Sequence, residues 1–219
     1  VNQNKFVLLD VICYIIFPLV VWHMLRDDLG DYYAMLLTTV PGIVYTIYRF
    51  FALKKLNIFG LYMITTLVIG TLLDVMAGSA LQMLWNSVLF AYVIGAFFLL
   101  TMLINKPITL FFGLDFSEMQ GYDRAFSKRL FYKKKILVYF HLLTLAFALQ
   151  DIALAGLKTW LIIEYGVEAF DQALILRQVI NWGLTVVIVA GFFYIGNIIN
   201  QSPQLIEQVE EEMKAEKQA

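Results

Sequence analysis

Six apolar runs of roughly 20 residues, separated by short polar connections, constrain this chain more than any other feature of it. They read as 6–25, 32–53, 57–77, 83–104, 136–163 and 177–200. Inside hydrocarbon no water reaches the backbone, so each N–H and C=O must bond within the protein, and only helices or closed barrels achieve that. Runs this long select the helix. The predicted fold class is therefore all-α: a polytopic membrane bundle of six transmembrane helices spanning 1–200, followed by a charged tail at 201–219. Composition agrees. Of 219 residues, 61% are hydrophobic and 15% charged, with a mean hydropathy of +0.75, whereas a soluble domain carries about 25% charge. Lys5 precedes the first run as it would in a signal peptide. That run is longer than a typical signal core and ends at Trp22-His23-Met24 without small residues for cleavage, so it reads as a retained helix.

Orientation follows from lysine and arginine, which concentrate on cytoplasmic loops. Thirteen of the sixteen basic residues fall on the side of the N-terminus, and only Arg26, Lys158 and Arg177 lie near the other side. Both termini are thus expected in the cytoplasm. Trp22, Trp85, Trp160 and Trp182 all map to the outer helix ends, where an aromatic belt belongs.

The connection 105–135 is the one long loop. Pro107 stops the fourth span, Ser117 and Gln120 have capping-box spacing, and Phe112, Phe116, Met119, Phe126 and Leu130 recur at helical intervals. Lys133-Lys134-Lys135 follow. An amphipathic helix on the inner leaflet fits this pattern, with phenylalanines in lipid and lysines on anionic headgroups; a plain positive-inside anchor fits it too. After Ser202-Pro203 the tail reads as a short helix, with Leu205, Ile206, Val209 and Met213 as a narrow apolar stripe. The stripe could dock on the loop or self-associate into a homo-oligomer. It is short for an independent helix, which favours a merely solvated tail.

Ionisable groups within the spans are costly in lipid and face a bundle interior or a cavity. Asp10 and Arg49 both lie roughly 9 Å inward of their span centres, a depth match that predicts a structural ion pair. His141 occupies the inner half of the fifth span. Asp74, His23 and Lys158 form an outer set. Asp151 is the deepest acid, and Lys158 shares its face about 10 Å further out. Pro41-Gly42 interrupts the second span, where a kink would release carbonyls for ion binding. Asp74, Asp151, His141 and Pro41 are therefore the candidate polar pathway, against a bland role in helix packing.

Several functions are excluded or unsupported. A net charge of −1 argues against nucleic acid. Cys13 stands alone, two histidines on separate spans make no metal site, and no hydrolase, protease or nucleotide-binding motif is present. No cofactor or enzymatic activity is expected. Pro41, Tyr45-Thr46-Ile47-Tyr48-Arg49, Lys54-Lys55 and Asn105-Lys106-Pro107-Ile108-Thr109-Leu110 carry a likeness over about 41–112. On these residues the chain resembles a family of small bacterial inner-membrane proteins related to the intracellular septation protein A group. The resemblance implies a bacterial plasma membrane and a role in envelope maintenance or division, and it matches neither Asp74 nor Asp151 to a motif. Two functions compete: a small ion-coupled transporter or permease using intramembrane carboxylates, which needs a polar cavity, and a structural scaffold, which needs a filled bundle and a docking surface.

The basic asymmetry predicts the outcome of cysteine labelling in a Cys13→Ser background. Cysteines placed near Gly30 and Glu168 should react from outside, and those near Tyr122 and Gln208 only from inside. Outside labelling near Tyr122 reverses the orientation.

Overall fold

The computed structural model describes residues 12–53 and 57–218, and every regular element among them is helical. A π turn at Ile12–Ile16 leads into α1 (Phe17–Leu29). Then come α2 (Asp31–Leu53), α3 (Ile58–Val75), α4 (Ala80–Leu103), α5 (Ile108–Met119), α6 (Arg124–Phe131), α7 (Lys134–Tyr165), α8 (Ala169–Asn200) and α9 (Pro203–Gln218). Among the described residues three stretches are long and apolar enough to cross a membrane: Ile58–Val75, Ala80–Leu103 and Lys134–Asn200. Their side chains are mostly not packed inward. Only 6% of the Ile58–Val75 window and 22% of the Ala80–Leu103 window is buried within the protein. Apolar surface on that scale is unfavourable in water and suited to lipid.

Helix ends depart from the hydropathy reading where polar residues continue a helix. α1 runs on through Arg26-Asp27-Asp28, and Gly30 alone, at φ 78°, turns the chain into α2. α8 starts at Ala169, eight residues before the apolar run, because Ala169 and Ala173 are buried while Asp171 and Gln172 face outward. α2 passes through Pro41 as one helix. The loop 105–135 forms two helices instead of one. Gly121, at φ 93°, breaks it, and the Asp123 side chain caps α6 by accepting from the Phe126 N–H at 2.7 Å. Ser117 lies inside α5 and does not start a helix.

The described chain divides into two compact units. The first comprises 12–53, Gly60–Val93 and Asp151–Trp182. Its core holds Trp22, Met35, Met83, Val88, Leu161 and Ile162, with alanines where helices approach closely. Trp22 is only 1% exposed and stacks at 4.9 Å on Phe170, so it is packed in protein and not displayed to the membrane interface; Trp160 and Trp182 are exposed.

The second unit comprises Asn57–Phe59, Ile94–Gln150 and Gly183–Ala219. Leu110, Leu114, Leu130, Ile136, Phe140 and Val209 form its core. Thr109 donates to the Phe140 carbonyl at 2.8 Å and lies 2.7 Å from Thr144 Oγ1, so a buried hydroxyl pair joins α5 to α7. Asp115, 2% exposed, accepts from the Phe59 N–H and from Arg124 Nη1, each at 2.8 Å. Arg124 also reaches Glu118 at 2.6 Å, and these hydrogen bonds, Asp115's foremost, raise the Arg124 pKa above its ordinary value.

The tail is docked, not merely solvated. Val209 is wholly buried against this core, Lys133 Nζ meets Glu212 at 2.7 Å, Lys135 Nζ donates to Ser202 Oγ at 2.8 Å, and Arg129 pairs with Glu216. A stripe too short to sustain a helix alone is sufficient once it has a partner surface. Of the three lysines assigned to lipid headgroups, Lys133 therefore contacts α9 and Lys135 the residue before it, while Lys134 is exposed. Phe112 is 7% exposed and packs edge-on to Phe59 at 5.2 Å; Phe116 is 53% exposed, its ring 6.4 Å from that of Phe192.

Docking through Val209 has a measurable strength. Val209→Ala removes two buried carbons, about 1.5 kcal/mol, and should lower hydrogen-exchange protection of α9 roughly tenfold while α7 amides keep theirs. Unchanged α9 protection would show that the apolar stripe does not hold the tail.

Candidate functional site

A cavity of about 140 Å³ lies within the first unit. Its polar wall is Asp74 of α3, Lys158 of α7, Ser87 of α4 and Thr39 of α2. α2, α4, α7 and α8 each contribute at one-turn spacing, the arrangement that puts residues on one face, and α3 contributes Asp74 alone. Met35 precedes Thr39 by four, Met83 precedes Ser87 by four, and Ile162 follows Lys158 by four. α8 adds Phe170 and Leu174 in the same register.

Local bonding fixes the wall. Lys158 Nζ donates to Ser87 Oγ at 3.1 Å, and Ser87 Oγ donates to the Leu84 carbonyl at 2.7 Å. Thr39 Oγ1 donates to the Leu36 carbonyl at 2.7 Å. Around Asp74, Tyr32 OH donates to the Asp74 carbonyl at 3.2 Å and to that of Val75 at 2.7 Å, and Asn86 Nδ2 donates to the Leu73 carbonyl at 3.0 Å. These contacts tie α2 and α4 to the end of α3, where a helix leaves carbonyls unsatisfied.

Near this region a clamp closes the unit. The Arg26 guanidinium binds both oxygens of Glu168, at 2.8 and 2.6 Å, reaches Asp31 at 3.0 Å, and lies 4.5 Å from the centre of the Trp22 ring. The bidentate geometry is the strong form of a carboxylate–guanidinium pair. Arg26 accordingly titrates above its ordinary range, and its hydrogen bonds hold the Glu168 carboxyl below its usual value. His23 Nε2 lies 3.9 Å from Asp171.

The expected pathway residues are thus redistributed. Asp74 and Lys158, named as an outer set, share the cavity; His23, named with them, is exposed beside Asp171. Asp151 is half-buried in the first unit, acts electrostatically on Tyr62, and does not line the cavity. Pro41 does not line it either. His141 belongs to the second unit, its Nδ1 3.0 Å from the Leu137 carbonyl of its own helix. The Asp10–Arg49 pair lies outside the described residues, since Asp10 precedes residue 12. Sequence reasoning missed Ser87 and Thr39. The usable signal was a lone hydroxyl one turn from a methionine on an otherwise apolar face. Among the described residues no cluster of histidine, cysteine and carboxylate side chains suits a metal ion.

No protein-family model, curated protein or solved structure matches the chain. The likeness over 41–112 rests on its own residues alone.

The clamp makes stability depend on acid. A carboxyl whose folded pKa is depressed contributes stability above its unfolded value of 4.5 and loses it as pH falls through the folded value. Melting temperature should therefore drop on acidification below about pH 4.5, and Glu168→Gln should flatten that part of the profile and lower the plateau above it. An unchanged acid limb in Glu168→Gln would remove Glu168 from the linkage.

Proposed function

We propose that this chain is a six-span protein of the bacterial plasma membrane with both termini in the cytoplasm, and that it works as a small ion-coupled permease. The observation that carries the reading is the cavity in which Asp74 and Lys158 share one wall. A charge held in a span is expensive, and lining a solute-sized space gives it a use. Three lipid-compatible stretches whose apolar side chains face outward support the membrane setting. The thirteen-to-three division of basic residues supports the orientation.

The competing reading is an envelope scaffold, in line with the resemblance to septation-related proteins. It relies on a free tail and a free amphipathic loop. Val209 is buried, Arg129 and Lys133 are engaged by α9 and Lys135 by Ser202 just before it, so those surfaces meet each other. Permeation is the better-supported choice. Within it Asp74, rather than Asp151, is the carboxylate beside the solute.

Proteoliposomes carrying the protein, with an imposed pH gradient, test this against a panel of small labelled solutes. Asp74→Asn should reduce the initial uptake rate at least about tenfold, the loss of about one charged hydrogen bond, while Glu207→Gln on the exposed face of α9 leaves it intact. Equal uptake by Asp74→Asn and unmodified protein would end the permease reading.

A further inference from the structure

We propose that α9 is a latch over a lipid-binding face: it covers a basic and apolar surface at α6 and the start of α7, and anionic phospholipid headgroups compete with it for that surface. This rests on the membrane setting and cytoplasmic tail of the reading above, and not on permeation. The first argument is the layout of the contacts. Arg129 pairs with Glu216, Lys133 Nζ meets Glu212 at 2.7 Å, and Lys135 Nζ donates to Ser202 Oγ at 2.8 Å. The partners follow in opposite order, so the two segments run past each other in opposite directions. Glu212 and Glu216 stand one turn apart and share a face of α9. Each offers its partner what a headgroup phosphate would offer, anionic oxygens that accept from a guanidinium or an ammonium. The hydrogen bond from Arg129 holds the Glu216 carboxyl below its ordinary value, so this pair is ionised at neutral pH.

The second argument is what lies beneath and above the helix. Beneath it, Leu205, Val209 and Met213 pack in the core that holds Leu130, Phe131 and Ile136. Basic residues beside an apolar face are the composition of a helix that binds the interface of an anionic membrane. Lys128 and Lys134 of the same stretch are exposed and add to that charge. Above, α9 in its docked position exposes Glu207, Glu210 and Glu211. The face is therefore anionic with α9 in place and cationic without it. A membrane of anionic lipid distinguishes the two states by sign alone.

The third argument is the balance of strengths. Exposed ion pairs contribute little each, and an anionic leaflet attracts each nearby lysine or arginine by a comparable amount. The same field repels α9, which carries five glutamates against two lysines. A neutral leaflet exerts neither force. Burial of Val209 and its neighbours then holds the helix, and at the membrane the acyl boundary takes their place against Leu130 and Phe131. A helix of 16 residues is marginal in water without a partner. Displacement is thus accompanied by unwinding.

The test is hydrogen exchange of the full chain in lipid nanodiscs, phosphatidylcholine alone against an equal mixture of phosphatidylcholine and phosphatidylglycerol. Amides of 205–213 should exchange at least about tenfold faster in the anionic discs, the effect of two or three basic residues meeting a charged leaflet. Amides of α7 at 139–148 should keep their protection. Arg129→Gln combined with Lys133→Gln should reduce the lipid dependence of α9 at least about threefold. The comparison between lipids uses the unmodified protein, so it does not depend on the variant folding. Equal exchange of α9 in the two discs, or an α9 already unprotected in the neutral ones, overturns the inference. A lipid dependence that survives in the double variant overturns it too, since plain repulsion of α9 would then account for the effect. So does acceleration of the same size by excess soluble glycerol phosphate in neutral discs, which would make the ligand a free phosphate. None of these outcomes bears on uptake by Asp74→Asn, and outside labelling near Gln208 would instead overturn the orientation.

Discussion

Hydrocarbon offers the backbone no hydrogen-bonding partner, so each long helix must close its own ladder before any other contact counts. Side-chain hydroxyls follow the same rule. Thr38 donates to the Met35 carbonyl at 2.6 Å, Thr46 to Gly42 at 2.7 Å, Thr66 to Tyr62 at 2.9 Å and Thr159 to Ala155 at 2.8 Å. A threonine or serine on an apolar helix can thus satisfy itself one turn back and needs no neighbour. Carboxylates and ammonium groups have no such local solution. Asp115 finds Arg124 and a helix N–H, and Lys158 finds Ser87 on another helix. Hydroxyls can therefore sit anywhere along these helices, whereas each charge fixes which neighbouring element must stand beside it.

Helix positions were legible because hydropathy and lipid impose the same period and length on any chain. Helix ends were less so. The starting turn of α8 contains Asp171 and Gln172, which lower its mean hydropathy although Ala169 and Ala173 bury their side of it. Residue count along the apolar runs put Asp74, His23 and Lys158 at one end, and Asp74 and Lys158 line the same cavity. Rotation about each helix axis could not, because the apolar spans are apolar nearly all round and carry no stripe to orient them. That is why sequence alone did not tell which of these polar residues share the cavity wall, and why Ser87 and Thr39 went unnoticed.

Long-range pairings were the least visible. Arg26 and Glu168 stand 142 residues apart and meet only because α1 and the turn before α8 end at the same place. Asp115, set among phenylalanines and leucines, reads in sequence as one polar face of an amphipathic helix. Its partner Arg124 is close in sequence, but the break at Gly121 that brings the two together belongs to backbone conformation and not to composition. The tail followed the same logic. Its stripe was readable, and the surface that receives it was not, because the loop's own helices had to be divided correctly first.

The burial of Val209 sets an order of events in biosynthesis. The core around Leu130, Phe131 and Ile136 is completed by a residue from the helix that follows the last membrane stretch. While α8 is being made, α9 has yet to leave the ribosome, so this apolar face waits uncovered with Arg129 and Lys133 beside it. The second unit therefore closes only once α9 has emerged. A ribosome that stalls before Pro203 leaves behind a chain with its long helices complete and a sticky apolar face, the kind of surface that chaperones and proteases recognise.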